Sequence, residues 1–520
     1  LTDTLHERVN VARGAEIGSV ADVGAIEDRL IRDWGYPVPV MMERAAVAVV
    51  RLLESQFGRS PVVVVSGMGN NGADGLAVAR ILHDRGYTVR VLTVGASPGD
   101  WVRKQSQGLR QRGVQPKGFS GSEAYGSEWV LVDALYGIGL NRALRSEATL
   151  AIEWMNRQNW RAVVALDVPS GLDADTGEHY GALVRAHHTV SMGVLKPGLL
   201  MDRALESVGR LWLADIGFPA LLTAPLSGRL NEATPLPPIP AAAHKGTLGS
   251  VLVLAGSRTM TGAAILALRG AGRSGVGLVY GGVVVSQRDL VAVAVPEAIV
   301  LPLREEEGSV GPEALDLLAP QLGSVKAVAI GPGLRHTPRV QALVERLLTL
   351  FAGPIVLDAD ALPRQEQRLP QRTGPIIMTP HPGELGRMLG ISATQVQKQR
   401  LDSAMQAAKT YQAIVVLKGA RTIIANPAGH YTINVTGDPI LATAGAGDVL
   451  TGLLVGLLAR GFDAEAAART AVYLHGQAAQ AARESGMVSL MANDIPDRIP
   501  RLLGQITEVL PALGDLRLVR

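Results

Sequence analysis

The chain has 520 residues, 47% hydrophobic and 19% charged, enough for two or three domains with well-buried cores. A net charge of only +3, 4% aromatic residues and no clustered stripe of Lys and Arg exclude a nucleic-acid footprint. With no cysteine, disulfides, zinc–thiolate sites and a Cys nucleophile are ruled out, and a cytoplasmic address is the simplest expectation.

Taken in chain order, the opening Leu1-Thr-Asp-Thr4 lacks the charged-then-apolar pattern of a signal peptide, and the absent Met points to an incomplete start. Short Val/Ile/Leu runs then predict strands at 62–66, 89–94, 129–133, 162–167, 189–192 and 211–214. Their near-continuous apolar character suits a parallel sheet buried on both faces. Amphipathic segments at 74–85 and 147–157 predict helices between them, so the first part is an α/β layer fold. The segment 223–243 is rich in Pro and small residues without a period and reads as a linker, dividing the chain into domains 1–222 and 244–520. A second series of strands follows at 250–255, 325–330, 355–358, 376–379 and 414–418, ending in helices 446–460 and 464–484. The apolar run 449–459 is too short to span a membrane and predicts a buried helix.

The first strand leads into Gly67-x-Gly69-x-x-Gly72, the spacing of a dinucleotide-binding turn that sets backbone N–H groups against a phosphate. The nicotinamide-coenzyme version needs an acidic residue closing the second strand, and here that strand ends in Gly95-Ala96-Ser97. The turn carries Asn70, Asn71 and Asp74 instead; an Asn-rich turn with Asp74 as a helix cap is the plain structural alternative. Asp133 closes one further strand before the glycine-rich stretch Gly137-Ile138-Gly139-Leu140, and Asp167 closes the next before Ser170. In an open parallel sheet such strand ends converge on one crevice, and carboxylate, amide and hydroxyl oxygens gathered there suit a hard cation.

These loops, with Met42-Glu43-Arg44-Ala45 upstream, resemble those of the NAD(P)H-hydrate epimerase family. The resemblance implies a Rossmann-like three-layer domain with potassium held by Asn71, Asp133 and Ser170. It implies substrate contacts at Asn70, Asn71, Gly72, Ala73, Asp74, Gly137, Ile138, Gly139, Leu140 and Asp167. Epimers of a hydrated nicotinamide exchange by losing and regaining a C–O or C–N bond, and Asp167 is the candidate acid/base group. The family usually has Gly where this chain has Ala73.

In the second half, Gly445-Ala446-Gly447-Asp448 runs directly into an apolar helix, a helix N-terminus suited to an anion with a carboxylate one turn in. Asp448 as a helix cap is the structural alternative. Pro380-His381-Pro382, Gly331-Pro332-Gly333, Lys418-Gly419-Ala420-Arg421-Thr422 and Thr261-Gly262-Ala263 follow strands or open helices. Together they resemble the ADP-dependent NAD(P)H-hydrate dehydratase family, which implies a ribokinase-like α/β domain using ADP and Mg2+. On that resemblance Asp448 is the base, Ala263, Gly333, His381 and Asp448 contact substrate, and Lys418, Gly419, Ala420, Arg421, Thr422 and Gly447 contact the nucleotide. Asp438-Pro439 stands where that family tends to have Asn-Pro, and Arg335 where a small residue is usual.

The resemblance spans roughly 12–501 and implies a bifunctional enzyme. It would interconvert the R and S hydrates of NADH or NADPH and dehydrate the S form with ADP, leaving AMP and phosphate. A homo-oligomer is expected, with small-molecule substrates and no nucleic-acid or membrane partner. A vitamin-precursor kinase with a non-catalytic N-terminal binding module is the alternative, because a Gly-Ala-Gly-Asp turn serves many kinases.

Overall fold

The computed structural model describes residues 14–365, 367–506 and the strand Leu516–Val519. The reading of residues 1–4 and the start of the resemblance at 12 lie outside them. The chain divides into two compact units after Leu230, and the final strand belongs to the first. This differs from the expected 223–243 linker and 244–520 second domain. A short strand, Gly228–Leu230, lies inside the expected linker and pairs antiparallel with Glu16–Ile17. Three residues are too few for a period to show in a Pro-rich composition, and the pairing with Glu16–Ile17 is long-range.

Among the described residues the first unit holds an eight-stranded sheet. Its order is Leu516–Val519, Arg210–Ala214, His188–Met192, Ala162–Leu166, Val130–Ala134, Val62–Ser66, Val89–Thr93 and Lys117–Gly118. All neighbours are parallel except the first pair. Every residue of Val62–Ser66, Val130–Ala134 and Ala162–Leu166 is buried, which is why these strands read as unbroken apolar runs. Helices Val38–Phe57 and Asn70–Asp84 pack on one face, and Ser146–Arg157, through Trp154 and Met155, on the other. The chain leaves Val62–Ser66 to one side first and returns to its other side at Val130–Ala134, so the strand order reverses between them. Registers Ser66↔Ala134 and Asp133↔Ala165 bring the carboxyl ends level, opening the loops after them on one edge at that reversal.

Among the described residues the second unit has nine strands of its own. They run Tyr431–Ile433, Ile423–Ala425, Ile414–Leu417, Ile376–Met378, Ile355–Leu357, Ala327–Ile330, Ser250–Leu254, Leu278–Val284 and Ile299–Leu303. The first two pairings are antiparallel and the rest parallel. Helices Thr261–Arg273 and Ala446–Ala459 meet on small residues. A Cβ at Gly452 would lie 1.9 Å from the Ala267 carbonyl oxygen, so only glycine permits this approach. The strand order reverses between Ser250–Leu254 and Ala327–Ile330, again with level carboxyl ends.

Candidate functional site

In the first unit the glycine spacing serves close approach. A Cβ on Gly67 would meet the Leu135 carbonyl oxygen at 2.0 Å, and one on Gly72 the Gly67 carbonyl oxygen at 2.0 Å. The helix begins at Asn70 with Gly69 as its cap, so Asp74 is a fifth helical residue and not the cap. Ala73 is buried in that helix and does not take positive φ, so its methyl group is accommodated. Asn70 is exposed, while the Asn71 Nδ2 atom is buried without a hydrogen-bond partner.

Asp133 and Ser170 are joined across the sheet end. Ser170 donates from Oγ to Asp133 Oδ1 (2.6 Å) and from its backbone N–H to Oδ2 (2.8 Å), and Leu135 N–H donates to Oδ1 (3.2 Å). Asp133 is fully buried with no cationic partner among the described residues; burial pushes its carboxyl up to about 6 against these hydrogen bonds. Gly137 abuts Asn71: a Cβ there would lie 3.2 Å from Asn71 Cγ.

Asp167 takes a left-handed backbone (φ 64°), which Asp tolerates better than most residues and which marks strain held by its surroundings. Its Oδ1 accepts from Lys196 Nζ at 2.5 Å and from the Met192 N–H at 3.2 Å. Lys196 is 1% exposed and also donates to the Met192 carbonyl oxygen (2.8 Å). Asn70, Asn71, Asp74, residues 137–140 and Asp167 line one cavity of about 760 Å³, joined by Glu27 from helix Val20–Arg32. Burial, then the charges of Asp167 and Glu27, push Asp74 well above the carboxylate range. Glu27 is raised too, by burial first, with Lys196 opposing and Asp167 adding.

In the second unit the turn before helix Ala446–Ala459 needs glycine, because Gly445 caps the helix at φ 87°. Asp448 sits on its first turn. Burial, then Asp358, push its carboxyl up to about 7; Lys418 pulls the other way and Glu384 and Asp360 add to the rise. Lys418 Nζ donates to Asp358 Oδ1 at 2.8 Å and lies 3.8 Å from Glu384 Oε2. A Cβ on Gly447 would fall 3.3 Å from that ammonium, so cation and anion turn are adjacent. Asp358 is buried and its Oδ2 accepts from Thr451 Oγ1 at 2.7 Å. Ala263 and Gly333 are also brought together: a Cβ on Gly333 would lie 2.9 Å from Ala263 Cβ. The buried Arg400 donates to the Leu417 and Lys418 carbonyl oxygens beneath the 418–422 turn. Arg421 takes φ 60°, and burial lowers its guanidinium to about 10.

Two family models match, one described as NAD(P)H-hydrate dehydratase over residues 251–501 and one as YjeF-related protein N-terminus over 38–198. A bifunctional NAD(P)H-hydrate repair enzyme of Moorella thermoacetica is 37% identical over 515 residues, 94% of this chain and 97% of the relative. The chain belongs to that family. A namesake from Thermofilum pendens is 34% identical over 95% of this chain and 97% of its own. A solved ADP/ATP-dependent NAD(P)H-hydrate dehydratase from Bacillus subtilis, co-crystallised with ATP and Mg2+, is 38% identical. It covers 52% of this chain and 95% of its own at a TM-score of 0.47.

Several features of this repair-enzyme chain escape a reading of strand-end motifs. Lys196, Glu27, Asp358, Glu384 and Thr451 all stand at the two sites. Lys196-Pro197 comes shortly after the strand His188–Met192, and Lys418-Gly419 directly after Ile414–Leu417; a lysine in a strand-end loop is the local signal that could have marked it. His381 does structural work: its Nδ1 accepts from the Gly383 and Glu384 N–H groups and caps helix Pro382–Leu389, with Glu384 capping back. Asp438 pairs with Arg483 at 3.1 Å, and Arg335 holds φ 71° with its N–H on Asp360 Oδ2. Each departure from the family pattern therefore has its own local partner. No helix among the described residues is long and apolar enough to cross a membrane.

Proposed function

We propose that the first unit interconverts the two epimers of hydrated NADH or NADPH, and that the second dehydrates the S epimer with ADP, leaving AMP and phosphate. The observation that carries this is the match to bifunctional repair enzymes over 94% of the chain, with a carboxylate and a lysine at each sheet end. In the first unit Asn70, Asn71, Asp74, Gly137 through Leu140 and Asp167 line the cavity and take the substrate, with the expected contacts Gly72 and Ala73 buried in the helix behind them, and Asp167 moves protons.

Asn71, Asp133 and Ser170 fit a potassium ion. A buried carboxylate without a cationic partner beside an unpartnered amide end is a hard, anionic oxygen set, since an amide presents either end by rotating. Bound there, potassium supplies a fixed positive charge.

In the second unit Lys418 through Thr422 and Gly447 take the nucleotide, which carries Mg2+. Ala263, Gly333, His381 and Asp448 take the hydrate. Within the 445–448 turn, where the Ala446 and Asp448 N–H groups already donate to the Thr443 and Gly445 carbonyl oxygens, the Gly445 and Gly447 N–H groups stabilise the transferring phosphoryl, and Asp448 accepts the hydroxyl proton. Phosphorylation turns the hydroxyl into a leaving group, and its elimination restores the nicotinamide. The enzyme works in the cytoplasm as a homo-oligomer.

Incubating the full chain with mixed epimers, ADP, Mg2+ and K+ tests this reading. Full recovery of reduced-nicotinamide absorbance, with AMP and phosphate formed, is expected. A stable phosphorylated product would make it a kinase instead.

A further inference from the structure

Three shielded carboxyl groups, Glu27, Asp74 and Asp167, line the first cavity, and one buried ammonium, Lys196, stands behind them. Asp167 has Lys196 at 2.5 Å. Glu27 and Asp74 line the same cavity, half-buried, with neither a hydrogen bond nor an ion pair to any described residue. A single ammonium balances a single carboxylate, so Asp74, desolvated and unpartnered beside that pair and facing the negative charges of Asp167 and Glu27, lowers its energy by keeping its proton. The other charged groups lining the cavity, Arg142, Arg145 and Glu147, are exposed to solvent and weakened by it. Asp28, next to Glu27, adds to the rise on Glu27.

The placement of the two carboxyls is rigid. Asp74 lies on a helix pinned to the sheet, where a Cβ on the next residue, Gly75, would meet Ala134 Cβ at 2.3 Å. Glu27 rides on a helix fixed by the reciprocal Ser19–Asp22 cap and by the Val20 N–H on Asp175 Oδ1 at 2.8 Å, in the loop that follows Asp167. An acid that holds its proton thus faces the cavity beside an ion-paired carboxylate that can accept one.

We propose that Asp74 is the proton donor of the first site, protonating the hydroxyl of the hydrated ring as its C–O bond breaks, and that Glu27 holds Asp74 in the protonated form. This rests on reading the first unit as an epimerase. In the step, the ring-nitrogen lone pair forms C=N as the C–O electrons leave on oxygen, which takes the Asp74 proton and departs as water. The cationic ring then faces the carboxylates of Asp74 and Asp167. Water adds to the opposite face, the C=N electrons return to nitrogen, and the released proton goes to Asp167 and back to Asp74 within the cluster. No other reactant is consumed.

The test uses the full-length wild type, Asp74→Asn, Asp74→Glu and Glu27→Gln, each mixed with one hydrate epimer and K+ without ADP. The epimer ratio is followed chromatographically against pH in 18O-water. A wild type that does not accelerate interconversion defeats the epimerase reading itself. Given an active wild type, the proposal expects 18O incorporation, a rate that falls as pH rises and Asp74 loses its proton, and a kcat about 100-fold or more lower in Asp74→Asn with that limb gone. Asp74→Glu should restore part of the rate and the limb, and Glu27→Gln should move the limb to lower pH. Retention of the limb in Asp74→Asn, a change confined to KM, or absence of 18O would overturn the proton-donor role; an unmoved limb in Glu27→Gln would overturn that of Glu27. Dehydration of the S epimer by each variant, with ADP present, verifies that the chain is intact.

Discussion

In the first unit a buried lysine touches the carboxylate proposed to react, and in the second it does not. Lys196 sits 2.5 Å from Asp167, whereas Lys418 is taken by Asp358 at 2.8 Å and attracts Asp448 only from beside the glycine turn. Burial first, then the repulsion of Asp358, with Glu384 adding, pushes Asp448 up to about 7, where a general base is most useful at neutral pH. Two sheets with the same end-on arrangement of loops thus set the two carboxyls proposed as proton acceptors in different surroundings, one paired directly and one sharing its cation with a buried rival.

The sharpest break in this comparison is Asp448→Asn. Dehydration should fall by about 10²- to 10⁴-fold while epimerisation persists, measured as AMP formation against epimer ratio. Next comes Lys196→Met, which leaves Asp167 buried and unpaired and should cost about 3–5 kcal/mol, read by thermal unfolding. Adding Asp167→Asn to that variant should recover most of the stability but none of the epimerisation. Potassium at about a hundredfold excess over its Kd should stabilise the wild type by roughly 2.7 kcal/mol in a thermal shift, and Asp133→Asn should abolish the effect.

The dehydration kcat/KM should rise about tenfold per pH unit up to a limb near 7, because the Asp448 base must be deprotonated. Lys418→Met should move that limb upward. Linkage has the opposite sense for stability: a carboxyl raised in the folded state loses stability as pH climbs from about 4, its unfolded value. The loss runs to about 7 here, so Asp448→Asn should lessen the fall in stability over that window, with Asp133 and Asp74 supplying the remainder, read as melting temperature against pH. The smallest effect belongs to Asp438→Asn, where losing the half-exposed partnership with Arg483 should cost no more than about 1 kcal/mol and leave both activities in place.

Most parallel strands were legible because burial on both faces leaves continuous apolar runs, as in Val62–Ser66 and Ile414–Leu417. The strands Leu278–Val284 and Ile299–Leu303 were not: Gly281-Gly282 interrupts one, and the other is a part-exposed edge strand carrying Pro302. In the site, Asp133, Asp167 and Asp448 stood out because each adjoins a strand end or glycine turn. His381 stood out for the same reason, yet the structure uses its ring nitrogen as a helix cap, a role its flanking prolines do not disclose.

The sequence by itself determined the α/β class, the glycine turns and the strand-end carboxylates, since these follow from local period, backbone freedom and chain order. Only the tertiary structure decided which charges meet. Lys196 lies 29 residues from Asp167, and Lys418 lies 60 from Asp358. Glu27 reaches the first cavity from a helix far upstream of the loops it joins. A carboxylate's task depends on burial and on the nearest cation, and neither is encoded in its own neighbours along the chain.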